Sequence, residues 1–594
     1  MRERALLAAA VVVAFVVGPL AAARGNLFQA KLSGEKKVRH ALDRLTFGAR
    51  PGEAEKVRAA GLNKWIERQL HPEKIAENPK LEEKLRPLDS LRMSSVEMAR
   101  QYPPPQVIRA FAQGRTPPGL DAEQRKALER LAERFKKRRE QGEQPAMNQA
   151  AREELRSLRG STPEESVERF FALPQERREA LIEVMPQEAR RMILARAPTE
   201  QRRKMLVSLA PQELIAHDLL EAKVARAVHS NRQLQEVLVD FWFNHFNVYL
   251  DKGADRYLVT SYERDAIRPH ALGKFKDMLR ATAEHPAMLF YLDNWQSVDP
   301  KAAERMGGRR GAPAGKRGRG LNENYARELL ELHSLGVDGG YTQQDIIEVA
   351  RCFTGWTIRD PQRGGGFEFN ARTHDPGEKT VLGVKIATGG GIEDGLKVLD
   401  IVAAHPSTAK FLSRKLAQRF VADTAPDLLI ARMAKSFTES GGDIRAVMRT
   451  MLASTEFWSA GAYRAKVKSP LEMVASAARA LDADVESAFS LAFQVGRLGQ
   501  PLYRKQEPTG YSAANEEWVN TTALLARMNF AQALTANQVP GVKVDAARIG
   551  RPLRLEDASA ETRAAIARQV GEKGGASPAL VAGLILGSPD FQRR

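Results

Sequence analysis

Apolar and polar positions are most informative between Leu321 and Thr357, LNENYARELLELHSLGVDGGYTQQDIIEVARCFTGWT, where they predict a helix, a turn and a second helix. At about 100° per residue, Leu321, Tyr325, Leu329 and Leu332 share one arc of a helix over Leu321–Ser334. Glu323, Asn324, Arg327, Glu328 and Glu331 lie opposite, whereas Asn322 and His333 fall inside the apolar arc. A buried amide or imidazole needs a partner or ligand to offset its desolvation, so these two are the first candidates for chemistry. Gly336 fits a left-handed cap, and Asp338-Gly339-Gly340 continues the turn. Thr342 then opens the next helix with a T-Q-Q-D variant of the capping box. Ile346, Ile347, Val349, Ala350 and Phe353 form the apolar side of that helix, which ends near Thr354-Gly355-Trp356. The pair reads as a helical hairpin with Asp338 at its tip; the acidic turn lacks the alternating ligands of a calcium loop.

The same mixture recurs over Arg232–Tyr249. Leu234, Leu238, Phe241, His245 and Val248 follow a buried seam, with Asp240, Asn244, Asn247 and Asp251 as a polar row beside it. One histidine on an apolar face is more often a satisfied core residue than a ligand. Two on separate helices, each flanked by Asn and acidic groups, point to a shared polar pocket. The expected catalytic groups are therefore His245, His333, Glu328, Glu331 and Asp293, the last emerging from the apolar helix Met288–Trp295. Asn244, Asn247, Asn322, Asn324 and Arg327 are expected to orient substrate, with Asn294, Trp295 and Trp356 as walls. Arg268 suits a carboxylate or phosphate held bidentately, an internal Arg–Glu bridge being the simpler account, and Pro269 forces a break before His270. Histidines and carboxylates suit a divalent metal, yet no HExxH-like pair fixes a ligand set.

Beyond Trp356 the period changes to two. Phe367–Asn370 and Lys379–Ile386 alternate, which predicts a β-hairpin near 367–386 with His374-Asp375 at its tip, placed to reach the central helices or to serve as an ordinary turn. The remainder reads as helical. Between about 85 and 225 the composition shifts to proline linkers, a mixed-charge run and a short repeat with prolines at 163, 174, 186, 198 and 211. Each repeat puts Pro at the first helical position, an acid in the first turn and an apolar patch after it, so short stacked helices are expected. The predicted fold is mainly α: a multi-helix globular core with a small β-hairpin and an inserted array of short helices. The units are a signal peptide (1–23), N-terminal helices docking on the core (24–84), the charged linker and repeat insertion (85–225), and the main helical domain (226–594).

Met1–Ala23 carries Arg2 and Arg4, an apolar run and an Ala-Ala-Ala end, the design of a cleaved signal peptide, so a periplasmic or extracellular protein is expected. No later segment is apolar enough to span a membrane. In 594 residues, 91 Lys and Arg against 73 Asp and Glu give a net charge of +18, which favours anionic partners. The only cysteine, Cys352, excludes an internal disulfide and reads as a small buried hydrophobe. The basic, glycine-rich stretch 299–320 reads as a solvated loop or a lid; it lacks interleaved aromatics, which disfavours nucleic acid.

The central stretch, with DFWFNHFNV (Asp240–Val248), YERDAIRPHALGKF (Tyr262–Phe275), PAMLFYLDNWQS (Pro286–Ser297) and HPSTAKFLSRKLAQRFV (His405–Val421), resembles the bacterial family catalogued as domain of unknown function 1800. HALDRLTFGARPGE near the start and GQPLYRKQEPTGYS near the end extend the resemblance. It implies an exported, mainly helical protein and supplies no reaction. Two readings follow: an exported hydrolase with His or Glu as general acid or base, and a non-catalytic binding or assembly protein for an acidic polysaccharide or another exported protein.

Overall fold

The helix Gln233–His245 buries a broad apolar face, Leu234, Val237, Leu238, Val239 and Trp242, and keeps Asp240 and Asn244 partly open on the other. An apolar face this wide belongs in the core, and here it packs against Gly34–Leu45, Leu62–Gln69, Pro211–His229 and the turn Tyr262–Ile267. The computed structural model describes residues 27–140, 149–158, 160, 163–305, 320–361, 364–545, 558–571 and 577–594. The expected signal segment 1–23 lies outside these residues, as do positions 306–319 of the basic stretch.

Three helices, Gly34–Leu45, Glu53–Ala60 and Leu62–Gln69, begin the described chain, the last two separated by Gly61 at φ 86°. Leu45, Ile66 and Leu70 bring this unit into the main core. The proline repeat does form short helices: Pro163–Ala172, Gln175–Val184, Gln187–Arg196 and Thr199–Leu209. Pro174, Pro186 and Pro198 stand one position earlier than expected, as the capping residue before the first helical one. Phe170, Leu181, Ile182, Met185 and Leu206 give the array a small core of its own, closed by Met98, Tyr102 and Tyr257. The fifth repeat helix, Pro211–His229, runs on past 225 and commits Leu219, Val224 and Val228 to the main core, so the array is anchored through its own last helix.

The central hairpin starts later than its apolar pattern suggests. Asn322 precedes the helix, accepting from the Asn324 amide at 2.8 Å; Asn324–Glu328 is α-helical and Leu329–Ser334 is wound as a π-helix. Thr342 caps Gln343–Cys352 with both bonds of a capping box to Asp345. Gln343 joins the two arms, donating to Glu323 at 2.8 Å and accepting from Arg327 at 3.1 Å.

Helices dominate, and the strands among the described residues form three two-stranded antiparallel ladders. The hairpin expected near 367–386 is replaced by two of them. Phe367–Phe369 pairs back onto Trp356–Ile358, while Lys379–Val381 turns through Leu382-Gly383 to Val384–Ile386. Alternation shows which face a strand buries but not which strand it meets. His374-Asp375 therefore lies between two ladders rather than at a hairpin tip. Among the described residues, no helix is long and apolar enough to cross a membrane.

Candidate functional site

The ends of two buried elements meet a third helix at one point. His245 closes Gln233–His245, His333 lies in the π-helical turn Leu329–Ser334, and their ring centroids are 6.2 Å apart. His245 Nε2 lies 3.1 Å from the backbone carbonyl oxygen of His333. A carbonyl only accepts, so Nε2 carries the proton, and in the neutral ring Nδ1 is then an acceptor. Lys415 Nζ stands 3.0 Å from that Nδ1. Both nitrogens of His245 are thus engaged: one is anchored on a neighbouring backbone and the other holds an amine.

Lys415 comes from the helix Pro406–Phe420, which buries Leu412, Leu416 and Phe420 and starts with Pro406 behind a His405 cap. One turn earlier on this helix, Phe411 lies with its ring centroid 5.4 Å from the Lys415 ammonium and 6.2 Å from the His245 ring. Lys415 is half-buried and reaches a cavity of about 230 Å³, shared with Asp240, Asn244, Arg419, Glu472, Tyr511 and Arg594. Burial brings its amine down from the ordinary lysine range to about 8. Burial and the Lys415 charge also hold His333 down at about 3 and His245 well below the imidazole range, so both rings are neutral at pH 7. Of these three groups, Lys415 is the one whose pKa lies nearest neutrality.

Asn244 and Asn247 shape the opposite wall. The Asn244 amide donates to the Tyr511 carbonyl and accepts from the Tyr511 amide, both at 2.6 Å. Asn247 donates to the Lys505 and Glu507 carbonyls, each at 2.9 Å. These amides hold the loop that carries Tyr511 into the cavity. Gly510, at φ 68°, passes so close to the Asn244 carbonyl that a side chain there would overlap it.

The other expected site residues go elsewhere. Glu328 and Glu331 are half-buried and do not line this cavity; burial and the nearby Glu331 charge raise the Glu328 carboxyl above its usual range. Asp293 pairs with Lys252 at 2.9 Å. Arg268 grips Glu236 with both arms at 2.6 and 3.1 Å and reaches Glu263 at 3.2 Å, the internal bridge. His270 is half-buried, and burial lowers its pKa. Asn294 donates to the Phe353 and Trp356 carbonyls, Asn322 and Asn324 donate to Leu292, and Arg327 pairs with Glu323. Trp295 stacks on Phe290, and Trp356 is buried against Phe353. His374 forms a separate buried network, 3.0 Å from Asp394, which also holds Lys379 at 2.6 Å; Asp375 pairs with Arg351 at 2.7 Å.

Lys415 was not among the expected site residues. Its segment, LSRKLAQRF, looks like any amphipathic helix with solvated cations, and only the arrival of His245 from 170 residues away distinguishes it. A larger groove of about 900 Å³, walled by Pro103, Pro104, Pro117 and Pro118, borders the helical array. Among the described residues, no three His, Cys, Asp or Glu are grouped to hold a metal ion.

Fold and site define a mainly helical protein with a lysine-centred cavity at the junction of three helices. The chain belongs to the family described as protein of unknown function (DUF1800), whose model matches residues 40–593 and so spans the helical array as well as the core. No curated protein and no solved structure matches it.

Proposed function

We propose that this protein is an exported enzyme, hydrolytic in class, whose reaction centre is the cavity at Lys415. The reading rests on one observation: an amine whose pKa lies near neutrality is presented to a cavity by a histidine of fixed tautomer. A surface lysine, near 10.4, remains an ammonium at neutral pH, whereas Lys415 at about 8 supplies both forms in useful amounts. The free amine takes a proton from water as it attacks, and the ammonium returns it to the leaving group. His245 sets the direction of the Lys415 donor and acceptor, and Tyr511 and Asn244 bound the space where a substrate group would sit. Exported location rests on the amino-terminal sequence alone.

The test is hydrolysis of chromogenic carboxylic and phosphoric esters by the mature protein. Activity should rise through about pH 8 with the free amine. Lys415→Met should abolish it and Lys415→Arg should not restore it, since a guanidinium stays protonated. Full activity in Lys415→Met would remove the cavity from the mechanism.

A further inference from the structure

The cavity beside Lys415 has more positive than negative side-chain charge in its walls. Lys415, Arg419 and Arg594 line it together with Glu472 and Asp240. Asp240 is already matched by Lys223 at 3.4 Å. Glu472 is fully committed: Oε1 lies 2.5 Å from Arg419 Nη1 and 3.0 Å from Arg594 Nη2, and Oε2 accepts from the Ser469 amide at 2.8 Å. One carboxylate therefore serves two guanidinium groups. Arg594 is 3% exposed, and among the described residues its Nε and Nη1 have no acceptor. Among the described residues, Lys415 has the neutral His245 ring and the face of Phe411 beside it. Those Arg594 nitrogens are sealed from solvent, so what the cavity itself offers an anion is the Lys415 ammonium, in walls that carry one more cation than carboxylates.

We propose that this cavity is an oxyanion subsite, holding a phosphate or carboxylate group against the Lys415 ammonium, with the Arg419–Glu472–Arg594 cluster supplying the positive field of its wall. A lysine ammonium binds either group as a point charge. At about 230 Å³ the space is smaller than the roughly 300 Å³ at which drug-sized ligand pockets begin, which suits one acid group rather than a whole large substrate. Gln418 and Ser512 are further polar lining groups. The inference rests on the proposed function for its role, naming the substrate class as an anionic one, but its charge argument stands without any turnover.

The probes are inorganic phosphate and acetate, each against chloride at equal ionic strength, with thermal unfolding of the mature protein as readout. Phosphate at about 10 mM should raise the midpoint by a few degrees, as expected for a ligand that binds only the folded state. A shift with phosphate alone would assign a phosphoryl group, and one with acetate alone a carboxylate. Lys415→Met should remove the shift. If that variant does not fold, Gln418→Glu, which adds a negative charge to the half-buried lining without removing an ion pair, should weaken the shift at least tenfold in anion concentration. Equal shifts with chloride, or an undiminished shift in the folded variants, would overturn the subsite. An anion-specific shift without turnover of any ester would leave the subsite standing and remove the hydrolytic reading alone.

Discussion

His245 donates a hydrogen bond from its Nε2–H to the carbonyl oxygen of His333 at 3.1 Å, and that single bond orients the Nδ1 lone pair toward Lys415 at 3.0 Å. The carbonyl is available because the π-helical turn ends at Ser334, and terminal carbonyls of a helix lack backbone partners. A backbone group of one conspicuous histidine thus sets the tautomer of the other.

Replacing His245 separates positioning from packing. His245→Leu fills similar space but strands both the His333 carbonyl and the Lys415 amine, at a cost of about 1–3 kcal/mol. His245→Gln keeps a donor for the carbonyl and should cost less. Urea denaturation of the two variants checks the order, and equal stability of His245→Leu and the natural protein would show that neither bond matters.

Acid should destabilise the fold earlier than carboxylate protonation alone would. Burial lowers His229 and His285 to about 4 and His333 to about 3 in the folded state. The unfolded chain, with imidazoles near 6.5, binds more protons between these values, so stability is present above about 6.5 and is lost as pH falls toward 3. His333→Leu should flatten the decline measured by denaturation at stepped pH; an unchanged slope would place the ring in a protonated state already.

The loop that closes the cavity depends on Gly510. Its φ of 68° and its approach to the Asn244 carbonyl exclude a side chain. Gly510→Ala should displace Tyr511 and cost about 1–3 kcal/mol from backbone strain, with more from the overlap. Tyr511 protection in hydrogen exchange, where its amide donates to Asn244, reports the movement directly.

Cys352 should be silent in the native protein. It is fully buried, and burial pushes its thiol up to about 12. A thiol reagent should find no reactive group before denaturation and one afterwards, and Cys352→Ser should leave any activity in place. Rapid native labelling would require an opening at the end of the Gln343–Cys352 helix.

The helical class, the capping box at Thr342, the short helices behind the repeated prolines, and the burial of His245 and His333 on apolar arcs are all legible along the chain. Each is written in neighbours within a few positions, where helical period and cap chemistry act. The tertiary structure alone decided what those histidines do. A helical wheel places a ring on a face but says nothing of which backbone its Nε2 meets, and the π-turn at Leu329–Ser334 changes the wheel itself. Strand pairing at Phe367–Phe369 was hidden for the same reason: the partner, Trp356–Ile358, is chosen by contacts across the core and not by alternation. Lys415 shows the limit most plainly. Along the chain it is one cation among 91 Lys and Arg; its lowered pKa exists only because Pro406–Phe420 buries it against a ring from another helix, where desolvation, absent from any local pattern, disfavours its charge.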